Sequence, residues 1–380
     1  MRNNRLSALL LLALVLALSL TGCGGPDEQP AAPAAASVAG LLGNGEVAGY
    51  AQALAPRPFS FPADHGPHPE FRSEWWYWTG NLSHAGGRSF GYQFTIFRFA
   101  LAPLPGAAAV ARPSAWATRD SWLAHLAVSD IAGQRFHADE RAARGALGLA
   151  GATAQPFAVT CDGWTASGSL ADGEEMRVQA SGKNATLDLH LAPGKPVVLQ
   201  GDRGLSRKGA AAGNASYYYS LTRMPTRGTI RLGGTDYSVT GDSWMDREWS
   251  TSALEPGVVG WDWFALHLAD GRDVMFYRLR TADGKATRFS GGTLIARDGS
   301  SSPLAAEAVE LTSRATWTSP RGITYPAHWR LRTADLDLDI VPRLADQELD
   351  LTVRYWEGAV EIHGSQTGVG YVELAGYDRR

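Results

Sequence analysis

Cysteine is nearly absent: 380 residues hold two, Cys23 and Cys161. That excludes a disulfide framework, so stability has to come from buried apolar surface, which a chain of this length can supply. Beyond Leu20 no run is apolar and long enough to span a bilayer as a helix, which takes about 20 residues. Positive charge is not in excess. The 35 Lys and Arg face 38 Asp and Glu, and such a mixed, mildly acidic chain lacks the basic footprint of a nucleic-acid binder. Long helical periodicity is missing, as are the Gly-x-Ser-x-Gly elbow, the phosphate loop and the dinucleotide fingerprint. No cofactor is expected.

The N-terminus carries a signal. Arg2 and Arg5 precede an apolar stretch, Leu9 to Leu20, which ends at Leu20-Thr21-Gly22-Cys23. A positive head, a short apolar run and small residues make a secretory leader. The cysteine after the small residues resembles a lipobox, which implies cleavage before Cys23 and a lipid on its thiol. Gly24 follows rather than Asp, which favours the outer membrane. The expected location is the bacterial cell envelope, lipid-anchored and facing the periplasm. Removing the leader takes away two basic residues and leaves 33 against 38 acids, a net charge of −5.

Residues 23–57 form a Gly-, Pro- and Ala-rich tether, then Val47, Tyr50 and Leu54 at the spacing of one short amphipathic helix. The rest reads as antiparallel β. Ser89 to Phe99, Thr229 to Val239, Trp261 to Leu268, Val274 to Leu279 and Glu348 to Tyr355 have strand character. Turn signals stand at Ala85-Gly86-Gly87, Gly233-Gly234, Asp270-Gly271, Asp283-Gly284 and Asp298-Gly299. Many short strands with tight turns point to barrels or sandwiches. A loose repeat links Trp75–Arg98 to Trp261–Arg280: a Trp-rich strand, a turn, then an aromatic strand with Arg near its end.

Glu74-Trp75-Trp76-Tyr77 with Thr79-Gly80-Asn81-Leu82 resembles the opening signature of the CrtC/AttH-like family, the carotenoid 1,2-hydratase relatives. So do the block from Gly241 to Ser250, Gly260-Trp261-Asp262-Trp263-Phe264, Tyr355-Trp356-Glu357-Gly358 and the ending Gly370 to Tyr377. The resemblance implies an all-β fold of two tandem lipocalin-like antiparallel β-barrel domains, here with the short N-terminal helix. The expected division is 1–22 leader, 23–57 tether and helix, 58–215 first barrel and 216–380 second barrel. Family members include hydratases of carotenoid intermediates and exported proteins without assigned activity.

The richest cluster is Trp244 to Trp249. Alternation on a strand puts Trp244, Asp246 and Glu248 on one face and Met245, Arg247 and Trp249 on the other. Facing a barrel interior, the first three suit acid catalysis, because burial raises a carboxyl pKa and keeps a proton available near neutral pH. Asp246 is the acid that the resemblance implies. A proton delivered to an unactivated isoprenoid alkene gives a tertiary cation, which aromatic faces stabilise by about 0.5–2 kcal/mol each before water captures it. Tyr217 and Tyr219 are candidate walls. Tyr217 stands where the carotenoid hydratases carry a histidine, and a phenol titrating near pH ~10 is a poor proton shuttle. The competing reading is structural: Arg247 pairs with Asp246, Glu248 or Glu74, and the cluster closes a barrel end. Glu74 and Arg247 are the candidate structural pair.

Trp76, Trp78, Trp261 and Trp263 are candidates to line a ligand cavity, against ordinary core. Asp64, His65 and His68 lack a third cluster and read as a turn with surface histidines rather than a metal site. Two functions follow. The first is a lipid-anchored envelope protein binding an apolar lipid or isoprenoid; the alternative is a carotenoid 1,2-hydratase-like enzyme. An ionised Asp246 tied to Arg247 favours binding, and an Asp246 buried beside a cavity without a cation favours the enzyme.

Overall fold

The computed structural model describes residues 36–37, 47–104, 114–168 and 174–378. Cys23 and the leader lie outside the described residues, where neither the cleavage nor the anchor is visible.

The alternating patterns and glycine turns produce strands almost throughout. Among the described residues two sheets form, one of 13 strands and one of 11. They are antiparallel apart from Ala36–Ser37, which runs parallel to Val353 and Arg354. Each sheet curls into a barrel or half-barrel, the lipocalin-like arrangement.

The centre of the first sheet runs, in space, Asp120–Asp130, Ser89–Ala100, Ser73–His84, Thr235–Ser250, Ala215–Leu232 and Ala185–Leu191. Its core gathers Trp76, Trp78, Phe94, Trp164, Leu187 and Met245 among others. The centre of the second runs Asp273–Thr281, Val258–Leu268, Gly368–Ala375, Val353–Gly364 and Asp337–Pro342 around Phe264, Trp329, Trp356 and Val372. The two segments of the loose repeat are the hairpins Ser73–His84/Ser89–Ala100 and Val258–Leu268/Asp273–Thr281, one in each sheet.

Four expectations need correction. No helix forms at Val47, Tyr50 and Leu54. Pro56 and Pro58 cut short any helix there, and Gly49 sits at φ 81°. The segment lies extended instead: Ala51 bonds to Glu70, and Ala53 is buried. The change of sheet also comes later than 215/216. The hairpin Ala215–Leu232/Thr235–Ser250 bonds into the first sheet through Ser73–His84, so the chain crosses over between Ser250 and Val258. The Gly233-Gly234 turn splits the expected Thr229–Val239 strand, and Leu351-Thr352 interrupts Glu348–Tyr355.

The sheets pack against each other through their outer faces. Gly91 is needed there, since a Cβ on it would come within 2.6 Å of the Ala359 methyl. Polar contacts tie the faces together: Asn81 Nδ2 donates to the Gly370 carbonyl at 3.0 Å, and Ser129 Oγ to Gln347 Oε1 at 2.6 Å.

Candidate active site

The strand Thr235–Ser250 pairs with Ser73–His84 on one side and Ala215–Leu232 on the other, in a register that sorts the family block. Opposite Asp246 stand Tyr77 and Ser220, and opposite Glu248 stand Trp75 and Tyr218. Opposite Arg247 stand Trp76 and Tyr219. Residues directly opposite share a face, so two rows separate cleanly.

The Arg247 row faces the first barrel. Glu74, fully buried, is gripped by Arg247 and Arg98. The Arg247 guanidinium lies 3.9 Å from the Trp76 ring centre and donates to the Gly66 carbonyl at 2.6 Å. Burial pushes the Glu74 carboxyl up, but Arg247 and then Arg98 overcome it and hold it well below the usual carboxylate range. His68 stacks on Trp249 at 3.8 Å and binds Asp64 at 3.0 Å, while His65 Nδ1 meets the Tyr219 hydroxyl at 2.6 Å. Both histidines are buried, not surface turn residues. The loop carrying them folds under the barrel end and spends their polar atoms on this network.

The Asp246 row faces the second barrel across a cleft with about 770 Å³ of atom-free space, counted out to solvent. Trp75, Tyr77, Phe97, Tyr218, Trp261 and Trp263 supply aromatic walls, and Asp246, Glu248, Glu357 and Glu373 the carboxyls. Trp244, Asp246 and Glu248 therefore share a face as alternation predicts, but it is the outer face of the first barrel, not its interior. Packing of the second barrel buries it.

Asp246 accepts from Ser220 Oγ at 2.5 Å, Tyr218 Oη at 2.6 Å and Trp244 Nε1 at 2.7 Å. All three donors are neutral, and Arg247 points away. Burial raises the Asp246 carboxyl to about 7, against the pull of these hydrogen bonds. Glu248 has Lys208 and Ser216 as partners. Trp263 Nε1 donates to the Tyr218 hydroxyl at 3.2 Å, which links the second barrel to the Asp246 cluster.

Four expected wall residues lie elsewhere. Tyr217 donates to the Ala55 carbonyl at 2.9 Å and Tyr219 reaches His65, both on the side away from Asp246. Tyr218 is the tyrosine of the site. Trp76 and Trp78 are core, the latter donating to Met176 Sδ at 3.1 Å, and their neighbours Trp75 and Tyr77 line the cleft in their place. Trp261 and Trp263 do line it. Ser220, Lys208, Tyr77, Glu357 and Glu373 were missed. The last two sit in the family blocks at Tyr355–Gly358 and Gly370–Tyr377, which was the available signal.

A profile of the AttH-like family matches residues 52–377. The chain belongs to the AttH-like family. It is 25% identical to kievitone hydratase of Fusarium solani subsp. phaseoli over 217 residues, 53% of this chain and 59% of that enzyme's length. A crystal structure assigned to AttH of Nitrosomonas europaea is 35% identical, covers 85% of this chain and all of that one, and superposes with a TM-score of 0.75. The crystal structure of kievitone hydratase from Nectria haematococca superposes at 0.63 over 87% of this chain and 97% of its own, at 16% identity, a likeness of fold.

Proposed function

We propose that the cleft is the active site of a hydro-lyase that adds water to an isoprenoid-type alkene, with Asp246 as general acid. One observation carries this reading: Asp246 is buried in an aromatic cleft, held by three neutral donors and, among the described residues, by no cation. A carboxyl poised at about 7 is half protonated at neutral pH, near the optimum for proton transfer. Its O–H bond breaks as the alkene π pair forms a C–H bond at the less substituted carbon. The tertiary cation left behind lies among Trp75, Trp261, Trp263 and Tyr77, whose ring faces stabilise positive charge. Water closes the reaction by forming the C–O bond while one of its O–H bonds breaks, the released proton restoring the acid consumed at the first step. Kinship with a hydratase supports the same class of chemistry. The proposed location is the cell envelope, with Cys23 as the lipid anchor; Cys23→Ser should release the protein from membranes after a high-salt wash, and a variant that still sediments with them would remove the anchor.

The decisive comparison is mass spectrometry of ligand extracted from wild type and from Asp246→Asn. Asparagine keeps the shape and removes the titratable proton. Wild type should yield a species heavier by one water, and the variant the unhydrated ligand, with kcat lower by about 10²–10⁴-fold. Identical species from both proteins would leave the cleft as a carrier of apolar molecules only.

A further inference from the structure

Glu357 and Glu373 are direct partners in the pairing of Val353–Gly364 with Gly368–Ala375. Side chains in such a pair share a face with Cβ atoms about 4.5–5.5 Å apart. Both line the cleft. Glu357 is fully buried; its Oε1 accepts from the Tyr77 hydroxyl, and its Oε2 has no hydrogen-bond partner among the described residues. Glu373 Oε1 accepts from Trp261 Nε1 at 3.1 Å. Among the described residues neither carboxyl has a cation, since Lys208 is spent on Glu248. Glu357 is fully buried and Glu373 half-buried, and two such carboxyls side by side without a cation resist ionising together. The fold tolerates this pair in a place where two apolar residues would pack at lower cost.

Resting on the hydratase reading of the cleft, we propose that Glu357 and Glu373 form a one-proton carboxyl pair that binds the reacting water opposite Asp246 and takes its proton. Acid and base then come from different barrels. Asp246 loses its proton to the alkene carbon. A water lone pair forms the C–O bond to the tertiary cation, and one water O–H bond breaks with its electrons staying on oxygen. That proton goes to the unprotonated carboxylate of the pair. One water is consumed and one tertiary alcohol formed. Asp246 is left ionised and the pair doubly protonated, and exchange with solvent through the cleft mouth resets both. The reverse sequence dehydrates the alcohol with the same groups.

Burial raises Glu373 to about 8 despite the Trp261 hydrogen bond, with the charges of Asp246 and Glu248 adding to the rise, so the one-proton state of the pair is a minor fraction at pH ~7 and grows as pH rises. Burial and then the charge of Glu373 push Glu357 well above its ordinary range. The groups facing the pair are Tyr77, Asp246 and Glu248 from the first sheet, with Lys208 on Glu248, and Tyr355 and Tyr371 from its own sheet.

The test uses the full chain with geranylacetone, a ketone ending in a trisubstituted isoprenoid alkene, and the variants Glu357→Gln, Glu373→Gln and the double variant. Each single variant should lower kcat by about 10²–10⁴-fold with KM little changed, and the double variant should be no worse, since the pair acts as one unit. Variants within about 3-fold of wild type, with the same pH profile, overturn the pair and leave the Asp246 assignment standing. A wild type that does not hydrate the probe overturns the hydratase reading and the pair's role in it together. Infrared titration in the Asp246→Asn background, which removes the Asp246 band, then decides the pair's proton by itself: a protonated carboxyl band at pH ~7 that weakens when Glu357→Gln or Glu373→Gln is added supports it, and full ionisation of both groups by pH ~6 overturns it.

Discussion

Glu74 and Asp246 are buried carboxylates on adjacent paired strands, a few residues apart across the register, and they behave as opposites. Glu74 lies on the barrel side between two arginines and is held ionised. Asp246 lies on the cleft side among Ser220, Tyr218 and Trp244 and rises to about 7. Burial is similar; the partners differ. Burial alone therefore does not say whether an acid is a structural anion or a proton donor. The charge across the strand does, and one strand presents both environments because its side chains alternate faces.

The largest expected effect lies on the closed side. Glu74→Gln leaves Arg247 and Arg98 buried without their anion and should cost about 3–5 kcal/mol, read as a lower urea midpoint at unchanged slope. A loss below about 1 kcal/mol would mean that the two carboxylates are not in different regimes after all.

The pH dependence should separate them next. Asp246 binds its proton more tightly folded, at about 7, than unfolded, at about 3.8. Between those values the native state holds a proton that the unfolded chain has released, so its contribution falls as pH rises, by an amount on the order of a few kcal/mol. Glu74 runs the other way: its carboxyl is depressed on folding, so its contribution is present above about pH 4.5 and lost as pH falls further. Melting curves of Asp246→Asn across this range should lose one proton's share of the first slope, the share of the raised Glu357 and Glu373 remaining, and keep the second. A variant that retains the wild-type slope would locate the neutral-range proton elsewhere.

The smallest effects compare two neighbouring tyrosines. Tyr218→Phe removes a donor to the Asp246 carboxylate, which favours the protonated form and should move the fall of activity to higher pH by about one unit. Tyr217→Phe loses only a bond to the Ala55 carbonyl and should cost about 0.5–1.5 kcal/mol with the pH profile unmoved. If the two exchanged roles, the assignment of faces would be wrong.

Much of the architecture was legible before folding. The turns at Gly86-Gly87, Asp270-Gly271, Asp283-Gly284 and Asp298-Gly299 all close hairpins or strand connections, because glycine reaches a positive φ at low cost. The loose repeat has a shared device behind it. Arg98 reaches back to Glu74 in the first hairpin, and Arg278 and Arg280 reach back to Asp262 in the second. The short helix was not there to be found, since three apolar residues at helical spacing carry little weight beside two prolines and an extended docking path.

Within the site, alternation along one strand told which residues of Trp244–Trp249 travel together, because that follows from local backbone geometry. It did not say which of three consecutive tyrosines joins Asp246, or whether Trp75 or Trp76 faces the ligand. A slip of one residue in strand pairing exchanges the faces, and pairing is decided by partners far away in the chain. Asp246 meets Tyr77 across one strand boundary, and Glu373 faces it from near the C-terminus. Only the folded sheets choose Glu74 as the partner of Arg247, leave Asp246 without a cation among the described residues, and turn the outer faces of two barrels into one buried cleft, because those outcomes depend on contacts between strands and not on the order of residues within one.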